Sequence, residues 1–106
     1  MAKPTFNELW RQIQAEAKAE GPAAVAELRR MQHRYRLGAE FSLLRKDAGL
    51  SQDELAKRTG IDQAEISRIE RGASNATEDT LARIAQELDA EIALVRRGER
   101  AAVGAR

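Results

Sequence analysis

The sequence predicts an all-α protein, and three observations support this fold class. It is rich in Ala, Glu, Arg, Leu and Gln, whose side chains lose little conformational freedom on a helical backbone. Residue patterns that cap helix starts recur along the chain, and glycines that can cap helix ends follow them. Since the chain has one Trp, one Tyr and two Phe, we expect a mostly aliphatic core.

Length and composition exclude several classes of protein. A chain of 106 residues has room for one domain and an arm, but not for two ordinary domains. The lack of Cys excludes disulfides and thiolate metal sites. No apolar run approaches the roughly 20 residues that span a bilayer, and residues 1–6 lack the apolar core of a signal peptide. We therefore expect a soluble, cytoplasmic protein without a membrane partner.

The first helix is predicted to begin after Thr5, which forms a capping box with Glu8. Gly21 and Pro22 end it, since Gly suits a left-handed helix cap and Pro suits the first turn of the next helix. An apolar stripe recurs along this helix at helical spacing: Phe6, Leu9, Trp10 and Ile13.

A second helical stretch is predicted to break at Leu37 and Gly38, because Gly inside a helix costs about 1 kcal/mol relative to Ala. A further helix then passes through Phe41 and stops at Gly49. The formal net charge is only +1, but six Lys and Arg stand against three Asp and Glu between Pro22 and Asp47. This local excess fits either a phosphate-facing surface or an ordinary solvated helix face.

Two short helices come next, joined by only Thr59 to Ile61. Ser51–Glu54 is a capping box that starts the first of them, and Gly60 ends it. Asp62–Glu65 repeats the arrangement, and Gly72 ends the second helix. So short a link around a glycine forces a sharp angle between the two helices.

The C-terminal part is predicted to hold one more helix and a short β-strand. The helix begins near Thr77 and buries apolar residues at helical spacing up to Leu88. Over residues 90–97 the apolar pattern changes to period two, with Ile92 and Leu94 on one side. A lone strand needs a partner for its backbone groups, so we expect it to pair with its copy in a second chain.

One run of residues is specific enough to indicate a family: Leu50-Ser51-Gln52-x-x-Leu55-Ala56-x-x-x-Gly60-Ile61-x-x-x-x-Ile66-Ser67-x-Ile69-Glu70-x-Gly72. It closely resembles the signature of the Xre/Cro-type helix-turn-helix family, whose fold is a lambda-repressor-like bundle. The resemblance covers about half of the chain. It implies that the helix over residues 63–71 enters the major groove of DNA while the preceding helix lies across the backbone.

The resemblance also implies a set of DNA contacts. Gln52 is placed to donate to a phosphate, and Arg71 to pair with one. Arg68 can form a bidentate pair with guanine, and Gln63 with adenine. Ala64 departs from the polar residue common at this position and offers only a methyl contact to thymine. Each polar residue of the set can also be an ordinary helix-surface residue. The residues implied to face base edges are Gln63, Ala64, Ser67 and Arg68.

Two pairs of charged residues are interpreted as structural. Arg45 and Glu70 lie at positions that form a partly buried ion pair in the family, which would join the helix before the motif to the recognition helix. Asp62 and Glu65 are assigned to helix capping, because their carboxylates would repel phosphates.

The segments around the motif resemble those of HigA-type antitoxins, in which a segment with an early Trp precedes the domain and a last helix runs into a strand. The predicted organisation is an arm over residues 1–37, a DNA-binding domain over 38–89, a dimerising strand over 90–97 and a tail over 98–106. The resemblance implies a regulator that neutralises a RelE/HigB-like ribonuclease toxin and represses its own operon. A two-fold homodimer would place two recognition helices one DNA turn apart on a palindromic operator.

Alternatives stay open for the arm and for the function. The apolar stripe that includes Trp10 can contact a toxin or a dimer partner, as Trp often does, or it can pack as ordinary core onto Val25, Leu28 and Met31. The chain can also be a free-standing Xre-type repressor. We do not expect an enzyme, a cofactor or a metal site, since His33 is the only His, no carboxylate cluster has metal spacing and no Gly-rich phosphate loop occurs.

Overall fold

The computed structural model describes residues 2–96 and residue 98, and they form an all-α protein, as predicted. None of the described helices is long and apolar enough to cross a membrane. α1 packs against α2, and α2, α3, α4 and α5 form the domain proper. The helices are α1 (Phe6–Glu20), α2 (Pro22–Asp47), α3 (Gln52–Thr59), α4 (Gln63–Glu70) and α5 (Glu78–Glu87).

Two of the three predicted capping boxes are present. The Thr5 hydroxyl accepts from the backbone N–H of Glu8 at 3.2 Å, and the Glu8 carboxylate accepts from the backbone N–H of Thr5 at 3.2 Å. Ser51 and Glu54 make the same pair of bonds at the start of α3. These bonds satisfy backbone donors that the first turn of a helix leaves unpaired.

The third predicted box, at Asp62 and Glu65, is wrong. Asp62 is the N-cap residue of α4, but its side chain makes no capping hydrogen bond. The carboxylate of Glu65 instead accepts from Ser74 and Arg68. A guanidinium and a hydroxyl that lie within reach compete well with a backbone N–H, since charge-assisted bonds are the stronger ones.

The predicted break at Leu37 and Gly38 is also wrong, because α2 runs through both residues as one helix. Gly38 is buried where α2 crosses the C-terminal end of α4, and an added Cβ would lie 2.2 Å from the carbonyl oxygen of Ile69. Tyr35 lies one turn before Gly38 on α2, and a Cβ added to Gly72 would lie 2.7 Å from its Cα. The glycine at 38 therefore marks a close approach of two backbones and not a helix end.

The core is mostly aliphatic, as predicted. Leu55, Ile66 and Ile84 are the largest fully buried side chains, and they come from α3, α4 and α5 respectively. Residues 6–20, which form α1, contribute nothing to this cluster. The remaining members are Phe41, Leu50, Ile61, Ile69, Ala85 and Leu88.

The predicted C-terminal strand is wrong over residues 90–96, which form no strand in the described part of the chain. After α5, Asp89 adopts a positive φ of 55°, and the chain continues in an irregular conformation beside α2 and α5. Period two alone does not make a strand, because ladder bonds need a partner and the nearest elements are helices. Ile92 and Leu94 stay exposed. Residue 97 and residues 99–106, which include most of the predicted tail, lie outside the described residues.

A cavity of about 290 Å³ separates this C-terminal segment from the helices. Leu37, Phe41 and Leu44 line it from α2, and residues 90–94 line it from the other side. Only Ala90 of this segment packs against the core, and residues 91–94 stay exposed.

The contact at Gly38 gives the first testable prediction. Gly38→Ala should lower the free energy of unfolding by about 1–3 kcal/mol, because the backbone of α4 would have to move away from the new methyl group. Helix propensity alone predicts a gain of about 1 kcal/mol for the same change. Urea denaturation followed by far-UV circular dichroism distinguishes the two signs.

Ala26→Gly, at an exposed position of the same helix, is the matched control. It should cost about 1 kcal/mol from propensity alone. A Gly38→Ala protein more stable than the original chain would contradict the close approach of α2 to α4.

Candidate nucleic-acid interface

The turn between α3 and α4 is closed by local chemistry. Gly60 adopts a left-handed conformation with φ of 75°, and its backbone N–H donates to the carbonyl of Ala56. The buried hydroxyl of Thr59 donates to the carbonyl of Leu55 at 2.8 Å and accepts from the backbone N–H of Ile61 at 3.3 Å. These bonds hold α3 and α4 at a fixed angle, with Ile61 packed into the core between them.

α4 has one buried face and one exposed face. Ile66 and Ile69 point into the core with exposed fractions of 1% and 5%. Three of the residues that were predicted to face base edges, Gln63, Ala64 and Arg68, are exposed, and helical spacing places Ala64 and Arg68 opposite the buried face. Ser67 is half-buried, and the predicted phosphate contact Arg71 is exposed at the end of the helix. The structure therefore leaves these five residues on or beside the free surface of α4.

A buried polar network fixes α4 against α2 and the start of α3. The guanidinium of Arg45 donates from Nε to Oε2 of Glu70 at 2.7 Å and from Nη2 to Oε1 at 3.0 Å. Its Nη1 donates to the carbonyl of Leu50 at 2.7 Å. The side chains of Arg45 and Glu70 are 10% and 6% exposed, so the pair is almost closed to water. This is the ion pair that the family resemblance implied.

The network also lowers the pKa of Glu70. Burial alone would raise the pKa of this carboxyl, because a low-dielectric environment disfavours the charged form. Hydrogen bonds from Arg45, Gln52 and Ser42, with the positive charge of Arg45, outweigh that effect and hold the pKa of Glu70 below its usual value. The hydrogen bonds that Arg45 donates to Glu70 raise the pKa of Arg45 in turn.

Gln52 is engaged differently from the role predicted for it. Its side-chain amide donates to Oε1 of Glu70 at 3.2 Å, and the residue is half-buried at the start of α3. An amide nitrogen carries two N–H groups, so the second remains available for a phosphate. Sequence reasoning missed this bond and the contribution of Ser42. Ser42 is one helical turn before Arg45 on α2, a spacing that could have indicated a shared partner.

Arg68 and Glu65 form an ion pair on the exposed face of α4. Nη2 of Arg68 lies 2.6 Å from Oε2 of Glu65, and the two side chains are 48% and 28% exposed. Ser74, in the loop after α4, donates its hydroxyl to Oε1 of the same carboxylate. Sequence reasoning missed Ser74 because it is nine residues from Glu65, beyond the reach of any helical spacing.

The first helix of the arm, α1, packs against α2 and exposes an apolar surface. Phe6 is 78% exposed, and Leu9 and Ile13 are each 44% exposed, while Trp10 is half-buried. Of the residues that could cover Trp10, Val25 and Leu28 are half-buried and Met31 is 52% exposed (all in α2). Among the described residues, no group of His, Asp and Glu could hold a metal ion.

A family model described as helix-turn-helix matches residues 42–95, just over half of the chain. The match includes α3, the turn, α4 and α5, which are the elements that present the exposed face of α4. The chain belongs to the helix-turn-helix family, and within it to the Xre type. This assignment confirms the resemblance inferred from the run of residues between Leu50 and Gly72. This helix-turn-helix protein is a DNA-binding regulator.

Three curated relatives extend the comparison. An HTH-type transcriptional regulator of Sinorhizobium fredii, y4dJ, is 41% identical over 58 residues, which are 55% of this chain and 75% of the relative. The antitoxin HigA1 of Mycobacterium tuberculosis is 40% identical over 81 residues, 76% of this chain and 54% of the antitoxin. The antitoxin HipB of Escherichia coli is 40% identical over 58 residues, 55% of this chain and 66% of HipB. No solved structure matches the chain.

The buried network gives the second prediction. Glu70→Gln should lower the free energy of unfolding by about 3–5 kcal/mol, because it leaves the buried charge of Arg45 without a counter-charge. Glu27→Gln removes the carboxylate from an exposed ion pair with Arg30 and should change stability little, which makes it the control. Chemical denaturation at neutral pH measures both.

The pH dependence of stability in the original protein and in Glu70→Gln tests whether the carboxylate charge is the cause. A carboxyl whose pKa is lowered on folding stabilises the fold fully above its unfolded pKa, about 4.3 for Glu. That stabilisation is lost as the pH falls through the lowered pKa of the folded state. The original protein should therefore lose stability below about pH 4 more steeply than Glu70→Gln. Parallel curves would show that Glu70 does not couple to folding.

Proposed function

We propose that this helix-turn-helix protein is an antitoxin that neutralises a RelE/HigB-like ribonuclease toxin and represses transcription of its own operon. The DNA-binding part of the proposal rests on the exposed face of α4. The toxin-binding part rests on the apolar surface of the arm, where Phe6, Leu9 and Ile13 are exposed although a DNA-binding domain has no use for them. In this proposal the protein acts by binding and not by catalysis. It acts in the bacterial cytoplasm, in association with the nucleoid.

The match with HigA1 supports the antitoxin part because it extends beyond the DNA-binding domain. From residue 42 to residue 106 there are 65 residues, whereas 81 residues of the chain match. At least 16 of the matched residues therefore precede residue 42, and at least 12 of these lie in the arm over residues 1–37. The protein spans about half the length of HigA1, so the partners of the complete antitoxin come to it only as part of this proposal.

We assign the DNA contacts as follows. Arg68 pairs with guanine and Gln63 with adenine, while Ala64 and Ser67 contact neighbouring base edges. Gln52 and Arg71 bind phosphates on either side of the groove. A homodimer on a palindromic operator would double these contacts, since each bidentate base pair contact contributes only about 1–3 kcal/mol of discrimination. Ile92 and Leu94, both exposed, are the proposed dimer contacts of the C-terminal segment.

A free-standing repressor is the second candidate. The relative from Sinorhizobium fredii favours it, because its name describes a transcriptional regulator and this chain covers 75% of its length. In that case the arm would pair with a second arm and not with a toxin.

The antitoxin and the free-standing repressor should respond differently when charged residues replace apolar ones on the arm. Leu9→Glu combined with Ile13→Glu should abolish neutralisation of the toxin encoded beside the gene, because hot-spot substitutions cost about 2 kcal/mol or more each. Operator binding should stay unchanged. Growth after toxin induction measures the first, and a gel shift on the upstream promoter measures the second.

Leu43→Glu is the matched control, since Leu43 is 63% exposed on α2 and outside the arm surface. It should leave neutralisation intact. Full neutralisation by the doubly charged arm would refute the toxin interface, and loss of the homodimer together with operator binding would favour the free-standing repressor.

The assigned DNA contacts predict two different losses of binding. Arg68→Ala should relax the preference at one base pair at a cost of about 1–3 kcal/mol. Arg71→Ala should weaken binding to all sequences alike and lower the slope of binding against salt by about one phosphate contact. Titration with operator and unrelated duplexes at several salt concentrations separates these effects. Equal losses on both duplexes for both variants would contradict the assignment of Arg68 to base recognition.

A further inference from the structure

The side chain of Glu65 joins α4 to the loop that follows it. It lies on α4 one turn before Arg68, and its carboxylate binds Nη2 of Arg68 with one oxygen and the hydroxyl of Ser74 with the other. Ser74 belongs to the loop after α4, so the carboxylate is anchored from outside the helix. Both bonds hold the pKa of Glu65 below its usual value, the one from Ser74 most strongly.

Helix capping does not explain this carboxylate. Glu65 is not part of a helix cap, since Asp62 makes no side-chain capping bond and the Glu65 oxygens are directed to Ser74 and Arg68. An exposed ion pair contributes little to stability. A carboxylate on a surface that meets phosphates would repel them unless a cation neutralises it. The feature that needs an explanation is thus a negative charge beside the arginine of a DNA-binding face.

We propose that Glu65, anchored by Ser74, is a positioning residue that holds the Arg68 side chain in the orientation required to read guanine. This inference rests on the proposed role of α4 in base recognition. It adds Glu65 and Ser74 to the determinants of specificity, although neither needs to touch a base.

The chemistry of the guanidinium allows both interactions at once. Arginine has five N–H donors in a rigid planar fork, and the bond to Glu65 uses one of them on Nη2. Two parallel donors remain for the O6 and N7 acceptors of guanine. The preceding turn presents Ala64 beside Arg68, and its small side chain leaves room for a base edge. An arginine already held in place loses less side-chain freedom on binding.

The test is a selection from a duplex library. The full-length protein is bound to double-stranded DNA with a randomised central segment, and the retained sequences give a base preference at each position. Arg68→Ala identifies the position that Arg68 reads. Ser74→Ala and Glu65→Gln should each lower the guanine preference at that position by about two- to five-fold, the effect of one exposed charged contact. Preferences at all other positions should not change.

Three further variants make the result specific. Ser74→Thr keeps the hydroxyl and should retain the guanine preference of the original protein. Asp79→Asn removes a similar exposed helix ion pair, with Arg83 on α5, and should change no position of the profile. Ser74→Ala added to Arg68→Ala should have no further effect, because the two residues act through one contact.

Other outcomes would overturn the inference and can be told apart. An unchanged guanine preference in Ser74→Ala and Glu65→Gln would show that Arg68 orients itself. A uniform loss at every position would show a merely structural role for Glu65, and a stronger guanine preference would show that Glu65 withholds Arg68 from DNA. If the original protein selects no sequence at all, the proposed function fails, and not the role of Glu65 alone.

Discussion

The buried pair of Arg45 and Glu70 is the interaction on which the position of α4 and its exposed face depends. α3 and α4 are short helices of eight residues each, too short to be stable alone, so their positions come from packing and from this network. Arg45 reaches from α2 to the end of α4 and also binds the carbonyl that precedes α3. Three elements are therefore fixed by one guanidinium, and any loss of its partner leaves a charge in a site nearly closed to water.

Two close backbone approaches also fix α4 against α2. The Arg45–Glu70 network sets the rotation of α4. Gly38 and Gly72 set how near α2 comes to the C-terminal end of α4. Gly38 lies inside a helix and serves only this close packing, whereas Gly72 also adopts the left-handed conformation, with φ of 72°, that ends a helix. Because a carbonyl oxygen and a Cα atom are the nearest neighbours, the space cannot be recovered by a change of side-chain rotamer.

The sequence predicted the parts of the fold whose causes are local. The capping boxes at Thr5 and Ser51 and the left-handed Gly60 depend on residues three or four apart, and they are present. The errors at Gly38, at Asp62 and over residues 90–96 share one origin. In each case a distant element decides the outcome: α4 beside Gly38, Ser74 beside Glu65, and the missing ladder partner of the C-terminal segment.

At the candidate site, too, the sequence predicted some features and missed others. The family resemblance located the exposed positions of α4 and the Arg45–Glu70 pair, since these follow from matched offsets in the motif. It did not give the inward bond of Gln52 or the anchoring of Glu65 by Ser74, because both join residues that are remote in sequence. Side-chain partners across a turn are set by tertiary geometry, and a single sequence carries no signal for them.

The unbroken course of α2 has a mechanical consequence. Its 26 residues form a helix about 39 Å long, with the contacts to α1 toward one end and Arg45, which binds Glu70 of α4, toward the other. Because α2 has no break, its two ends cannot rotate independently of each other. A displacement of α1 would therefore be carried along α2 to its contact with α4 at Gly38.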